Sequence, residues 1–265
     1  MIDRICEILD CVKKENPLIH CITNPISINQ CANVILSVGA KPIMAEHPGE
    51  VCEITFSTDA LMLNIGNITD IRMESIMLSL KMAKGRNIPV LLDVVGVACS
   101  RLRRNYVFDL LNKFIPSVIK GNYSEIEALR DVGYFSPGVD ADTSLGVEDV
   151  KVIAKELAKK LKTVILATGK MDIITDGNRI VYIKNGTEQL ARVTGTGCML
   201  GALCTAFMTS ANPMDASVSA CVYFGVCGEL AKTDKGNGSF MVNLMDKIST
   251  LEGEEILKCL DVEEG

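Results

Sequence analysis

The sequence predicts a doubly wound α/β domain, a mostly parallel sheet with helices on both faces. Three observations carry that expectation. Short β-branched or apolar runs alternate with helix-period segments along most of the 265 residues. One run, IPVLLDVVG at 88–96, is apolar almost throughout, as in a parallel strand covered on both sides. Polar residues or glycines follow the runs directly, and ligands of such sheets bind outside the carboxyl ends of the strands.

Taken in order, PLIHCIT (17–23) reads as a strand and SINQCANVILSVGA (27–40) as a helix. Ser27 and Gln30 have capping-box spacing, and Gly39 stands where a C′ glycine belongs. KPIMAE is a short strand, PGEVCEITF contains a brief helix, and ALMLNIG is the next strand. The segment 69–87 is a helix, with Ile71, Ile76 and Leu80 expected on one apolar face beside Met73 and Met77. These methionines read as core filler. The run at 88–96 follows, then a helix around RNYVFDLLNKF, the strand SVIKGN, a surface loop over 133–146, the helix VEDVKVIAKELAKKLK and the strand TVILATG. MDIITDGNRIVYIKNG shows two alternating runs about Asp176-Gly177, a hairpin signal. Beyond residue 194 every segment reads as helix, with KTDKGNGSF as a loop between the last two. No repeat or linker divides the chain, so a single domain over 1–265 is expected.

Composition narrows the chemistry. The net charge is −6 with no basic run, which disfavours nucleic acid as a partner. Aromatic residues are 5% of the chain, too few for base-stacking platforms. No apolar stretch is long enough to span a bilayer, so no membrane partner is expected. The charged, amphipathic N-terminal segment lacks the order of a secretion signal, and a cytoplasmic location is expected. The 11 cysteines lie mostly in apolar stretches and read as small buried hydrophobes. The two histidines, His20 and His47, are too few and too far apart for a zinc site.

The segment VTGTGCMLGA (193–202) holds the most distinctive chemistry. Glycine lets backbone approach a ligand, and the first turn of the following helix offers unpaired N–H groups and partial positive charge. Together these make an anion hole suited to a moving phosphoryl group. It is neither a Walker loop nor a dinucleotide fingerprint. Asp93 ends a buried strand, and Glu125 follows another within NYSE (122–125). Carboxylates beside a phosphate site can hold Mg²⁺. Glu125 can equally be a helix-start carboxylate favoured by the dipole. Asn24, Asn64, Gly66, Lys120 to Asn122 and Thr168-Gly169 are the other strand-exit candidates.

PLIHCITNPISINQCANVILSVGAKPIMAE, DVVGVACS, KGNYSEI, ATGKMD and VTGTGCMLGA occur in that order over nearly the whole chain. Together they resemble hydroxyethylthiazole kinase, the thiamin-salvage branch of the ribokinase-like superfamily. The resemblance implies a ribokinase-like fold and ATP-dependent, Mg²⁺-assisted phosphorylation of 4-methyl-5-(2-hydroxyethyl)thiazole. It also implies a homotrimer with thiazole sites at subunit interfaces. By resemblance, Met44 touches the thiazole, Gly195 lies at its hydroxyl, and the Asn24 and Gly66 regions line the same pocket. Lys120 and Thr168 fall at ATP-binding positions, Asp93 and Glu125 on magnesium-site motifs, and Gly195, Gly197 and Cys198 form the catalytic loop. Departures are visible too. Lys120 replaces the usual arginine, which loses a planar fork and implies a weaker nucleotide grip. Asp93-Val94 replaces Asp-Pro, which implies a looser turn. Pro25-Ile26-Ser27 also differs from the usual residues after the CITN segment. Cys198 stands where many sugar kinases carry an aspartate base, and a helix N-terminus can lower a thiol's pKa. Competing readings are a nicotinamide-nucleotide hydrate dehydratase, which normally has aspartate at that position, and a non-catalytic vitamin-precursor binder.

Overall fold

A computed structural model describes residues 1–131, 133–136 and 146–265. The loop expected over 133–146 lies mostly outside the described residues.

In chain order the elements are α1 (Ile2–Glu15), β1 (Leu18–Ile22), α2 (Ile28–Ser37), β2 (Lys41–Ile43), α3 (Val51–Phe56), β3 (Ala60–Asn64), α4 (Asp70–Arg86) and β4 (Val90–Asp93). Then come α5 (Arg101–Leu111), β5 (Val118–Asn122), α6 (Tyr123–Arg130), α7 (Val147–Leu161), β6 (Val164–Thr168), β7 (Asp172–Thr175) and β8 (Ile180–Ile183). The chain ends with α8 (Glu188–Ala191), α9 (Thr196–Phe207), α10 (Pro213–Leu230), α11 (Asn237–Thr250), α12 (Gly253–Cys259) and β9 (Val262–Glu264).

The strands form one sheet in the order β2-β1-β3-β4-β5-β6-β7-β8-β9. From β2 to β6 all pairings are parallel, and β7, β8 and β9 extend the sheet antiparallel. The chain runs from β1 outward to β2, then returns to the opposite side of β1 to form β3. That reversal is a topological switch point, the usual ligand crevice of an open α/β sheet.

The continuous apolar strands follow from burial on two faces. Cys21, Met62, Leu91, Val118 and Leu166 pack into one core with residues of α1, α2, α9, α10, α11 and α12. Their strand neighbours Ile22, Leu63, Leu92, Ile119 and Ile165 pack into a second core with α4, α5, α6 and α7. Helix α9 is buried along nearly its whole length, between the sheet, α2 and α10.

Local chemistry sets the helix starts. The hydroxyls of Thr69 and Ser100 accept from the third amides of α4 and α5, and Asn212 caps α10 with Pro213 at its first position. Gly39 closes α2 at φ +89°, as its position implied.

Four expectations need correction. Ser27 begins α2 but makes no cap hydrogen bond; its buried hydroxyl faces Thr23 Oγ1 at 3.4 Å instead. Ile71 is exposed, because it lies five residues from Ile76, about 140° around the helix. The buried face of α4 takes in Arg72, Ser75 and Ser79 beside Ile76, Leu80 and Ala83. The C-terminal region is not all helix, since Val262–Glu264 pairs with β8 as an edge strand. The Asp93-Val94 turn is not loosened: Val94 N donates to Lys120 O at 2.9 Å, a bond proline cannot make.

Candidate active site

The adjacent parallel strands carry their expected site residues to one end of the sheet. Read across it, the exits hold Met44 (after β2), Asn24 (β1), Asn64 and Gly66 (β3), Asp93 (β4), Lys120 (β5) and Thr168 (β6). Five gaps between strands give a row about 24 Å long. Helix α9 packs on β3 and β4 and starts at the middle of the row.

Side chains at the centre form a buried polar chain. Asn24 Nδ2 donates to Asn64 Oδ1 at 3.2 Å and to Cys198 Sγ at 3.4 Å. Asn64 Nδ2 donates to Cys198 Sγ at 3.2 Å and to Asp93 Oδ2 at 3.3 Å. Lys120 Nζ donates to the same Asp93 oxygen at 3.1 Å. Gly66 N donates to Asn64 Oδ1 at 2.8 Å, which fixes the amide's orientation. Asn64 is therefore the hub, bonded to four neighbours. Its place at a strand exit was visible in the sequence, but nothing there distinguished it from other exit asparagines.

Gly195 starts α9 at φ +90°, ψ −9°, a conformation that strains any residue with a side chain. The next amides, at Thr196, Gly197 and Cys198, are first-turn N–H groups with no intrahelical acceptor. The turn is fixed from below, with Thr196 Oγ1 donating to Leu190 O at 2.8 Å. A Cβ added at Gly197 would lie 3.7 Å from Lys120 Nζ, so this ammonium sits just under the glycine turn.

The electrostatics are those of crowded, desolvated charge. Lys120 and Asp93 are only 3% and 1% exposed. Burial works against the Lys120 ammonium, but Asp93, Cys198 and Glu125 hold its pKa above the ordinary lysine value. Burial also raises the Asp93 carboxyl, against the pull of Lys120. We read the pair as ionised, because the two groups share a direct hydrogen bond. The Cys198 thiol is raised by burial and by the Asp93 charge. The lowering expected from the helix N-terminus is outweighed, so the thiol is protonated near neutral pH.

Glu125 does what a helix-start carboxylate does. It and Asn122 form a capping box, with Asn122 N donating to Oε2 at 2.7 Å and Glu125 N donating to Asn122 Oδ1 at 2.9 Å. Its other oxygen accepts from Gly96 N at 2.6 Å. Burial, then the Asp93 charge, push Glu125 up to about 7. The folded protein binds this proton more tightly than the unfolded chain, so the contribution is present below pH 4.5 and is lost as pH rises toward 7. Glu125→Gln should abolish this dependence in metal-free protein. Urea midpoints at pH 5 and pH 7.5 should show wild type losing a few kcal/mol relative to the variant at the higher pH. A pH-independent difference would remove Glu125 from the titration.

The outer exits are less connected. Thr168 Oγ1 reaches Gly121 O at 3.4 Å, and the turn after it is pinned by Gly169 N donating to Asp172 Oδ1 at 3.0 Å and by Tyr123 Oη donating to Met171 O at 2.5 Å. Asp172, raised to about 6 by burial, is a further acidic group near Lys120 that the sequence reading did not select. Met44 is half-buried at the other end of the row, against the apolar core.

Comparison with known proteins decides the family. The hydroxyethylthiazole kinase family model matches residues 9–254. The chain belongs to the hydroxyethylthiazole kinase family. Hydroxyethylthiazole kinase 2 of Clostridium botulinum (strain Langeland) is 44% identical over 257 residues, 95% of this chain and 97% of the relative. The hydroxyethylthiazole kinase of Methanosarcina mazei is 42% identical over 259 residues, 97% of this chain and 98% of that one. The solved hydroxyethylthiazole kinase protein of Pyrococcus horikoshii OT3 superposes with a TM-score of 0.90 at 33% identity, covering 99% of each chain. Pyridoxal kinase from Staphylococcus aureus shares the fold alone, with a TM-score of 0.65 at 14% identity over 94% of this chain and 98% of that one. The expected ribokinase-like α/β architecture is thus the observed one. Among the described residues of this family member, no helix is long and apolar enough to cross a membrane.

Proposed function

We propose that this chain transfers a phosphoryl group from ATP to the hydroxyl of 4-methyl-5-(2-hydroxyethyl)thiazole. Family membership supports the reaction and the acceptor. The observation that carries the chemistry is the meeting of the α9 first-turn amides with the buried Asp93–Lys120 pair. In this reading Met44, Asn24 and Gly66 line the thiazole end of the row, and Lys120 and Thr168 serve the nucleotide end. Gly195 lies at the acceptor hydroxyl between them.

The residues present suit a divalent cation. Asp93 Oδ1 is a buried oxygen with no hydrogen-bond partner. Burial raises both carboxyls, and the Asp93 charge raises Glu125 further, so the two acidic groups lie within electrostatic reach of each other. Asp93 and Glu125 would hold the ion, and Mg²⁺ suits an all-oxygen site with few protein ligands. When bound, it supplies charge neutralisation across the nucleotide phosphates. The protein's own groups do the remainder. Amides of Thr196, Gly197 and Cys198 donate to the oxygens of the moving phosphoryl group, and Lys120 adds positive charge beneath them. Loose phosphoryl transfer asks mainly for alignment and charge stabilisation.

Cys198 is not a strong base here, because its thiol keeps its proton. It receives N–H donors from Asn24 and Asn64 and orients the pocket wall. Cys198→Ala should retain measurable activity, within roughly tenfold of wild type, and Cys198→Asp should stay active or improve. Steady-state kinetics check both, and total loss in a folded Cys198→Ala would restore a base role.

The proposed assembly is a homotrimer with sites at subunit interfaces. Exposed Ile26, Leu36 and Val242 give apolar surface beside the site and along α2 and α11. The deciding functional assay is ATP consumption over a panel of small alcohols. Turnover with the thiazole alcohol supports the proposal. Binding without turnover would favour a non-catalytic binder, and ATP consumption only with a hydrated dinucleotide would favour a dehydratase.

A further inference from the structure

Arg72 is a buried arginine outside the polar chain described above, 4% exposed on α4. Its guanidinium is divided between two strand-exit loops. Nε donates to Glu46 Oε2 at 3.0 Å, in the loop after β2. Nη1 donates to Asn67 O at 2.6 Å, in the loop after β3, with Gly66 O at 3.5 Å. These two strands flank β1, so the arginine ties together loops on either side of the exit that carries Asn24.

Further hydrogen bonds hold the two loops. Ser75 Oγ, one turn after Arg72, donates to Glu46 O at 2.7 Å. His20 Nε2 lies 2.9 Å from Ala45 O, and His20 Nδ1 lies 2.9 Å from Thr55 Oγ1. With the carbonyl as acceptor, Nε2 carries the proton and Nδ1 accepts from the threonine. Burial lowers the His20 pKa, which suits this neutral form. Gly66 N is fixed by Asn64. Arg72 thus joins two rims that the sheet and the Ser75–Glu46 hydrogen bond also connect, and it alone of these groups reaches the Asn67 carbonyl. Burying a guanidinium is costly unless its donors are used, and here they are used on both rims.

We propose that Arg72, with Glu46 as its anchor, is a positioning residue that sets the spacing between the Met44 side and the Gly66 side of the acceptor pocket. It acts on binding of the thiazole alcohol and not on the nucleotide end of the row. The proposal rests on the reading of Met44 and Gly66 as acceptor-pocket positions.

The test is two-substrate kinetics on Arg72→Met, Arg72→Lys, Glu46→Ala and Met44→Ala. The expected result for Arg72→Met is a KM for the thiazole alcohol raised about tenfold or more, with KM for ATP and kcat within about twofold of wild type. Arg72→Lys should recover little of the loss, because one ammonium lacks the fork that spans two loops. Glu46→Ala removes a half-exposed side chain and should raise the same KM about threefold, which supplies the readout if Arg72→Met does not fold. An unchanged thiazole KM in Glu46→Ala and in either folded Arg72 variant overturns the proposal, as does an equal change in both KM values and kcat. Met44→Ala separates the two ideas. If it raises the thiazole KM while the Arg72 and Glu46 variants do not, the pocket reading stands and the latch falls. If it is silent while they raise that KM, the latch stands through its Gly66 side and the role of Met44 falls.

Discussion

Asp93→Ala should reduce kcat by at least about 10³-fold and raise the divalent-cation requirement sharply. Three losses coincide at this position. The unpartnered Oδ1 disappears, and with it the proposed cation ligand. The Lys120 ammonium, which donates to Oδ2 at 3.1 Å, is left buried without its counter-charge. Removing one partner of a buried pair costs about 3–5 kcal/mol. Asn64 Nδ2 also loses an acceptor. The melting temperature should therefore fall together with activity. Asp93→Asn separates the effects, since an amide oxygen can still accept from Lys120 while the charge is gone. It should recover part of the stability and little of the kcat. A magnesium titration unchanged in either folded variant would remove Asp93 from the metal site.

Asn64→Ala should be nearly as damaging, although no reaction step is assigned to Asn64. Its amide serves Asn24, Gly66, Asp93 and Cys198 at once. Truncation leaves buried polar groups unpaired at about 1–3 kcal/mol each, only partly relieved by relaxation or entering water. We expect a loss of roughly 3 kcal/mol in unfolding free energy and a fall of about 10²-fold in kcat/KM. Asn64→Asp should lose comparable activity by a different route, placing a second carboxylate beside Asp93. Chemical denaturation and steady-state kinetics measure both, and a fully active Asn64→Ala would show the polar chain to be incidental.

The strands were legible because burial on two faces leaves a plain mark, a short run of apolar residues ended by Asn, Asp, Gly or Lys. The same mark located Asn24, Asp93, Lys120 and Thr168, since in a parallel sheet all such exits lie at one end. The edge strand Val262–Glu264 left no mark, being three residues long and largely exposed. Helix α6 was legible at its start, where Glu125 of NYSE reads as a helix-start carboxylate, but its extent was not. The side-chain hydrogen bonds were less legible still. Ser27 has the spacing of a cap, yet its hydroxyl is drawn into the buried site; only the fold shows which partner wins. Arg72 and Glu46 are 26 residues apart and look like ordinary surface charges until α4 turns one of them inward.

The ends of the crevice belong to different stretches of backbone. Met44, Asn24 and Gly66 belong to the first quarter of the chain, Lys120 and Thr168 to its middle, and Asp93 stands between them. On the proposed assignment, exchanging the early loops alters which small molecule is welcomed while leaving the grip on the energy-rich partner inherited. One scaffold could thus acquire new tastes a rim at a time.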